Sequence, residues 1–157
     1  MNTNDILYKI QKALNLSQEE ILKTYELESY EMSTEHLDAL LKKRQEKTFK
    51  QCSYEELGVF LDGLVRLKRG PSPEKSNENE AVELTNNLIL KKLRIALELK
   101  EPETEIIFGL GEADLSKQEL KSLFRKETHK NFKACSDELL NAFLEGLDEF
   151  YFVGEID

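Results

Sequence analysis

The chain has 157 residues, 39% of them hydrophobic and 34% charged, with a formal net charge of −9. That length fits one compact domain or two small ones, and the apolar fraction excludes a disordered chain. Two cysteines exclude a disulfide framework or a four-cysteine zinc site, and no apolar run approaches the ~20 residues of a membrane span.

Seven glycines and three prolines favour long regular elements over a turn-rich β fold. In chain order, Ile6, Leu7, Ile10, Ala13 and Leu14 recur at three- and four-residue spacing and predict a first amphipathic helix. Ser17-Gln18-Glu19-Glu20 has the form of a capping box, opening a short second helix to about Leu27. Ser33 or Thr34 caps a third helix carrying Leu37, Leu40 and Leu41. Ser53-Tyr54-Glu55-Glu56 is a second box, opening a longer fourth helix with Leu57, Phe60, Leu61 and Leu64. Residues 71–85 offer almost nothing to bury and are read as a polar linker.

The helical series then starts again. Shifted by 83 residues, the chain aligns with itself without a gap, and about two in five positions from 4 to 64 are identical. The strongest stretch sets Lys47-Thr48-Phe49-Lys50-Gln51-Cys52-Ser53 against Lys130-Asn131-Phe132-Lys133-Ala134-Cys135-Ser136. Phe60-Leu61 and Gly63-Leu64 fall on Phe143-Leu144 and Gly146-Leu147. The second series has Pro102 as a first-turn residue and Ser116-Lys117-Gln118-Glu119 as a box. The expected architecture is all-α: two tandem copies of a four-helix module, 1–70 and 86–150, with an apolar-acidic tail at 151–157. Each module is near the lower size limit for a self-sufficient core, so the copies are expected to dock with pseudo-two-fold symmetry.

Asn86-Asn87-Leu88-Ile89-Leu90-Lys91-Lys92-Leu93-Arg94-Ile95-Ala96 and His129-Lys130-Asn131-Phe132-Lys133-Ala134-Cys135 resemble the bacterial YehS family of tandem helical domains of unknown function. Phe60-Leu61-Asp62-Gly63-Leu64 and Phe143-Leu144-Glu145-Gly146-Leu147 belong to the same resemblance, which covers nearly the whole chain. It implies an all-α tandem fold in a bacterial cytoplasm, and no activity. The first copy has Glu46-Lys47-Thr48 where the second has His129-Lys130-Asn131, so a site there would not be equivalent in the two copies.

Candidate chemistry is sparse. Cys52 and Cys135 precede predicted helix starts, where a thiol can be activated, but their apolar neighbours favour a buried structural role. His36 is expected on an exposed helix face, and neither it nor His129 lies at metal-ligand spacing. Carboxylate pairs such as Glu19/Glu20 and Glu55/Glu56 fall in first helical turns, where free amides explain them. Phe108-Gly109-Leu110-Gly111 lacks the Gly-Lys of a phosphate loop, and its glycines are read as a helix end. Gly63 and Gly146 sit beside the apolar stripe, where glycine costs about 1 kcal/mol against alanine, so another helix must approach closely. No catalytic, cofactor-binding or metal set emerges.

The basic run Lys42-Lys43-Arg44, Lys47 and Lys50 corresponds to Arg125-Lys126, Lys130 and Lys133. With Phe49, His129, Asn131 and Phe132 these residues form the candidate binding surface. Leu14–Ile21 has a trace of a helix-turn-helix, but the helix that would read bases begins with Glu35 and Asp38 nearby. The leading reading is a cytoplasmic, non-enzymatic module that binds another protein, through the groove between modules or the tail at Phe150–Val153. The alternative is a nucleic-acid-associated regulator using loops 42–50 and 125–133, disfavoured by net charge. A thiol-dependent enzyme with Cys135 and His129 comes last.

Overall fold

The computed structural model describes residues 1–70 and 83–152. Most of the expected linker and the end of the expected tail therefore lie outside the described residues. The elements are α1 (Thr3–Leu14), α2 (Gln18–Leu27), α3 (Thr34–Leu40) and α4 (Tyr54–Arg69), then α5 (Asn86–Ala96), α6 (Glu101–Leu110), α7 (Lys117–Leu123) and α8 (Asp137–Phe150). Among the described residues there is no strand, and the fold is an all-α tandem repeat.

Local chemistry explains the boundaries. Ser17, Ser53 and Ser116 each accept from the backbone N–H three residues on, while Glu20, Glu56 and Glu119 accept in return. Ser33, not Thr34, caps α3. Lys100 has no capping oxygen; Glu103 accepts its backbone N–H at 2.6 Å, and Pro102 sits in the first turn, where its missing N–H leaves no bond broken. Helices α1, α2, α5 and α6 are followed by Asn15, Ser29, Glu98 and Glu112 in the left-handed region, two repeat-related pairs.

Within each copy the long fourth helix packs on the second. A Cβ on Gly63 would lie 2.1 Å from the Thr24 carbonyl oxygen, and one on Gly146 would lie 1.8 Å from that of Ile107. The close approach is thus inside each module. Gly111, at the end of α6, is needed for the same reason and not for a left-handed turn: its Cβ would meet the Ala142 carbonyl oxygen at 1.8 Å. Aromatic pairs repeat too, with Tyr25 on Phe60 and Phe108 on Phe143.

Between copies α1 packs on α8 and α4 on α5, and one buried cluster runs through both modules. The charges at the seam disclose the symmetry. Lys9 pairs with Glu145 at 3.4 Å, and their repeat counterparts, Lys92 (83 after Lys9) and Asp62 (83 before Glu145), pair at 2.5 Å. This exchange of roles is the signature of an isologous contact. Met1, Lys9 and Lys12 meet Asp137, Glu145 and Asp148, three pairs with one constant offset, so α1 and α8 run parallel and in register. Asp62–Lys92 and Arg69–Glu98, offset by 30 and 29, show that α4 and α5 also run parallel, with Glu98 just past the end of α5. Apolar side chains of α1 on α8 and of α4 on α5 thus join the two modules in one core.

Candidate functional site

The parallel arrangement brings four helix starts to one end. Thr3 Oγ1 donates to the Cys52 carbonyl at 2.6 Å, joining the starts of α1 and α4. Asn86 Nδ2 donates to the Cys135 carbonyl and to Asp137 Oδ1, joining α5 and α8. Asp137 Oδ2 takes the Met1 ammonium at 2.6 Å, so one carboxylate ties both pairs together. That ammonium first, then the Asn86 amide, hold the Asp137 carboxyl below its ordinary value.

The loops that enter α4 and α8, residues 41–53 and 124–136, lie at this end. Each is fixed by one asparagine side chain. Asn4 donates to the Leu40 and Lys50 carbonyls at 2.8 and 2.9 Å and accepts the Cys52 N–H at 2.9 Å. Asn87 does the same with Leu123, Lys133 and Cys135 at 3.0, 2.9 and 2.8 Å. Lys50 and Lys133 also donate their backbone N–H groups back to the Ala39 and Ser122 carbonyls. The best-matched stretch of the repeat is thus a loop whose backbone polar groups are satisfied by the preceding helix. The identity of Asn4 and Asn87 was visible in the sequence; the partners of their amides were not.

On this scaffold the two loops present nine basic residues against Glu46 and Glu127. Lys47, Lys50, Lys130, Asn131 and Lys133 are exposed, and Phe49 and Phe132 are half-buried beneath them. Lys133 lies 3.7 Å from Glu119; among the described residues none of the other loop cations forms an ion pair. Glu55, Glu56, Asp137 and Glu138 follow on the first turns of α4 and α8, and Asp137 and Glu56 are already engaged. The result is one basic end face on an acidic protein.

The copies differ where the sequences do. Glu46 accepts the Lys43 N–H at 2.7 Å, whereas His129 Nδ1 accepts the Asn131 N–H at 2.9 Å and its Nε2 lies 3.3 Å from Arg125 Nη1. His36 is half-buried, not on an open face: its Nε2 lies 2.5 Å from Glu56 Oε2, a contact sequence reasoning missed. Burial pushes the Glu56 carboxyl up, but the Ser53 N–H and His36 together outweigh it and leave it below its ordinary value. In the second copy Glu119 and Leu139 replace this pair.

Both thiols are buried. Burial and then the Glu56 carboxylate push Cys52 up to about 12; burial and then Asp137 do the same for Cys135. His129 is on the exposed side of the loop and is hydrogen-bonded to Asn131 and not to Cys135. Among the described residues no group of three or more His, Cys, Asp or Glu is placed to hold a metal ion, and no helix is long and apolar enough to cross a membrane. Of the sequence-derived tail, Phe150 and Tyr151 pack edge to face at 5.2 Å and Phe152 is exposed.

A duplicated helical module defines a class, the tandem-repeat all-α protein. The family model described as "Protein of unknown function (DUF1456)" matches residues 3–70 and again 86–151, and the chain belongs to that family. It is similar to the uncharacterized protein YehS of Escherichia coli (strain K12), with 33% identity over 147 residues, 94% of each chain. No solved structure matches.

Proposed function

We propose that this protein is a non-enzymatic cytoplasmic module that binds an acidic segment of another protein through its basic end face. The observation carrying this reading is the gathering of both loops, with their cations and half-buried Phe49 and Phe132, at one end of four parallel helices. Two things favour a protein over a nucleic acid. The two loops carry nine Lys and Arg against two acidic residues, whereas the rest of the chain carries 13 basic and 29 acidic, and a polyanion longer than that face would meet the acidic remainder. Buried thiols with raised pKa support the non-enzymatic part, because a reactive cysteine needs an accessible thiolate. Two unpaired cysteines suit a reducing compartment.

The test is affinity capture on the full chain and on a Lys47→Glu/Lys130→Glu variant, both checked for unchanged helicity. A partner that binds the wild type, weakens with salt and is lost from the variant is the expected result. Salt-sensitive retention on immobilised nucleic acid, abolished by the same two substitutions, would instead favour the nucleic-acid-associated regulator.

A further inference from the structure

The second copy holds donors that have no acceptor among the described residues. His129 Nδ1 accepts the Asn131 N–H, which places the ring's proton on Nε2. That Nε2–H faces Arg125 Nη1 at 3.3 Å, donor against donor. Arg125 Nε is buried and also has no acceptor among the described residues. Native structures rarely leave such groups unpaired, and a guanidinium fork matches an oxyanion in shape and charge.

Arg125 also lines a cavity of about 200 Å³, walled by Phe124 and Phe132 and edged by Lys91 and Lys126. Glu83 and Glu127 lie on the same rim, yet among the described residues neither pairs with Arg125. In the first copy the corresponding residues are Lys42, Leu41, Phe49, Tyr8 and Lys43, with Glu46 in place of His129. The fork, one aromatic wall, one lysine and the imidazole are all special to the second copy.

The geometry points to an oxyanion-binding site in the second copy, where a phosphoryl or carboxylate group of a small ligand seats against Arg125 and His129. Lys91 and Lys126 complete the charge, and Phe124 and Phe132 flank the ligand's body. A phosphate, with more acceptor positions and more charge than a carboxylate, engages more of these donors. The site shares Arg125, Lys126 and Phe132 with the end face proposed above but needs neither Lys47 nor Lys130, so the Lys47→Glu/Lys130→Glu variant separates its failure from that of the protein-binding reading.

Amide and guanidinium NMR of the full chain, titrated with inorganic phosphate and separately with acetate at constant ionic strength, tests it. Saturable shifts are expected in residues 124–133 and at Arg125 Nε–H, with phosphate tighter than acetate and little change in residues 41–50. Acetate binding as tightly as phosphate keeps the oxyanion site and reassigns its ligand to the carboxylates. Arg125→Lys, which keeps the charge and removes the fork, is expected to weaken phosphate roughly tenfold, the loss of about one charge-assisted hydrogen bond. Lys126→Gln, at an exposed position, is expected to weaken it several-fold and serves if the arginine variant does not fold. Shifts that never saturate, that are equal in both loops, or that ignore both variants mean an adventitious ion only and overturn the proposal.

Discussion

The side-chain oxygen of Asn4 accepts the Cys52 backbone N–H at 2.9 Å, and Asn87 repeats the bond to Cys135 at 2.8 Å. Around each of these bonds the amide nitrogen holds two carbonyls, so a single side chain satisfies three backbone groups. Asn4 is 6% exposed, whereas Asn87 is half-buried. Asn4→Ala leaves three groups unpaired with poor access to water, at about 1–3 kcal/mol for each that finds no partner. Urea unfolding is expected to show Asn4→Ala losing more stability than Asn87→Ala. Equal and small losses would mean that water replaces the amide in both copies.

Glycines within the helices are expected to divide sharply. Gly63→Ala and Gly146→Ala place a methyl inside a backbone carbonyl, which no rotamer relieves, so each is expected to lose about 1–3 kcal/mol or more by forcing two helices apart. Gly58 and Gly109 have nothing within 4 Å of an added Cβ. There, alanine is expected to raise stability by about 0.4–1 kcal/mol through helix propensity and a less flexible unfolded chain. Thermal melts of the four variants decide it, and a tolerated Gly63→Ala would refute the packing account.

The seam predicts behaviour of the pieces. Residues 1–70 carry Lys9 and Asp62 on the α1 and α4 faces that cover the second copy, and the exchange of these charges with Glu145 and Lys92 makes the surface self-complementary. Expressed alone, 1–70 is expected to self-associate, and on mixing with 83–157 to form a one-to-one complex instead. Sedimentation and circular dichroism read both outcomes; a cooperative, monomeric 1–70 would show that the module needs no partner face.

Acid is expected to act through Glu56. Its folded carboxyl is held below the ordinary value, so the stabilisation from its ionised form is complete above that value and is lost as pH falls through the lowered one. His36→Ala removes one of the groups that lower it and is expected to move the Glu56 titration upward, as followed by carboxyl-carbon NMR. A wild-type Glu56 that already titrates at or above the ordinary value would remove the basis for this coupling.

Thiol labelling should be slow and linked to opening. With both cysteines buried and pushed up to about 12, neutral-pH modification is expected only through unfolding, at rates that follow stability and are faster in Asn4→Ala. Rapid labelling of Cys135 in the native chain would reopen the thiol-enzyme reading.

Much of the fold was legible because its signals are local. Apolar residues at helical spacing, serine–glutamate boxes at 17–20, 53–56 and 116–119, and the 83-residue repeat depend on neighbours a few positions away or on self-similarity, and a sequence contains both. Gly63 and Gly146 were legible as anomalies, since a helix interior disfavours glycine, but the carbonyls of Thr24 and Ile107 that exclude a side chain were not. His36 read as exposed because nothing near it in sequence points to Glu56, 20 residues away.

By itself, then, the sequence determined the helices, their caps and their duplication. Tertiary structure decided what covers each apolar stripe, because periodicity marks a sticky face without naming its partner. It decided that α1 runs parallel to α8 and α4 to α5, through seam charges that match only when two copies meet about a common axis. From that geometry follow the shared core and the single end face, where loops 83 residues apart in the chain bring their positive charges together.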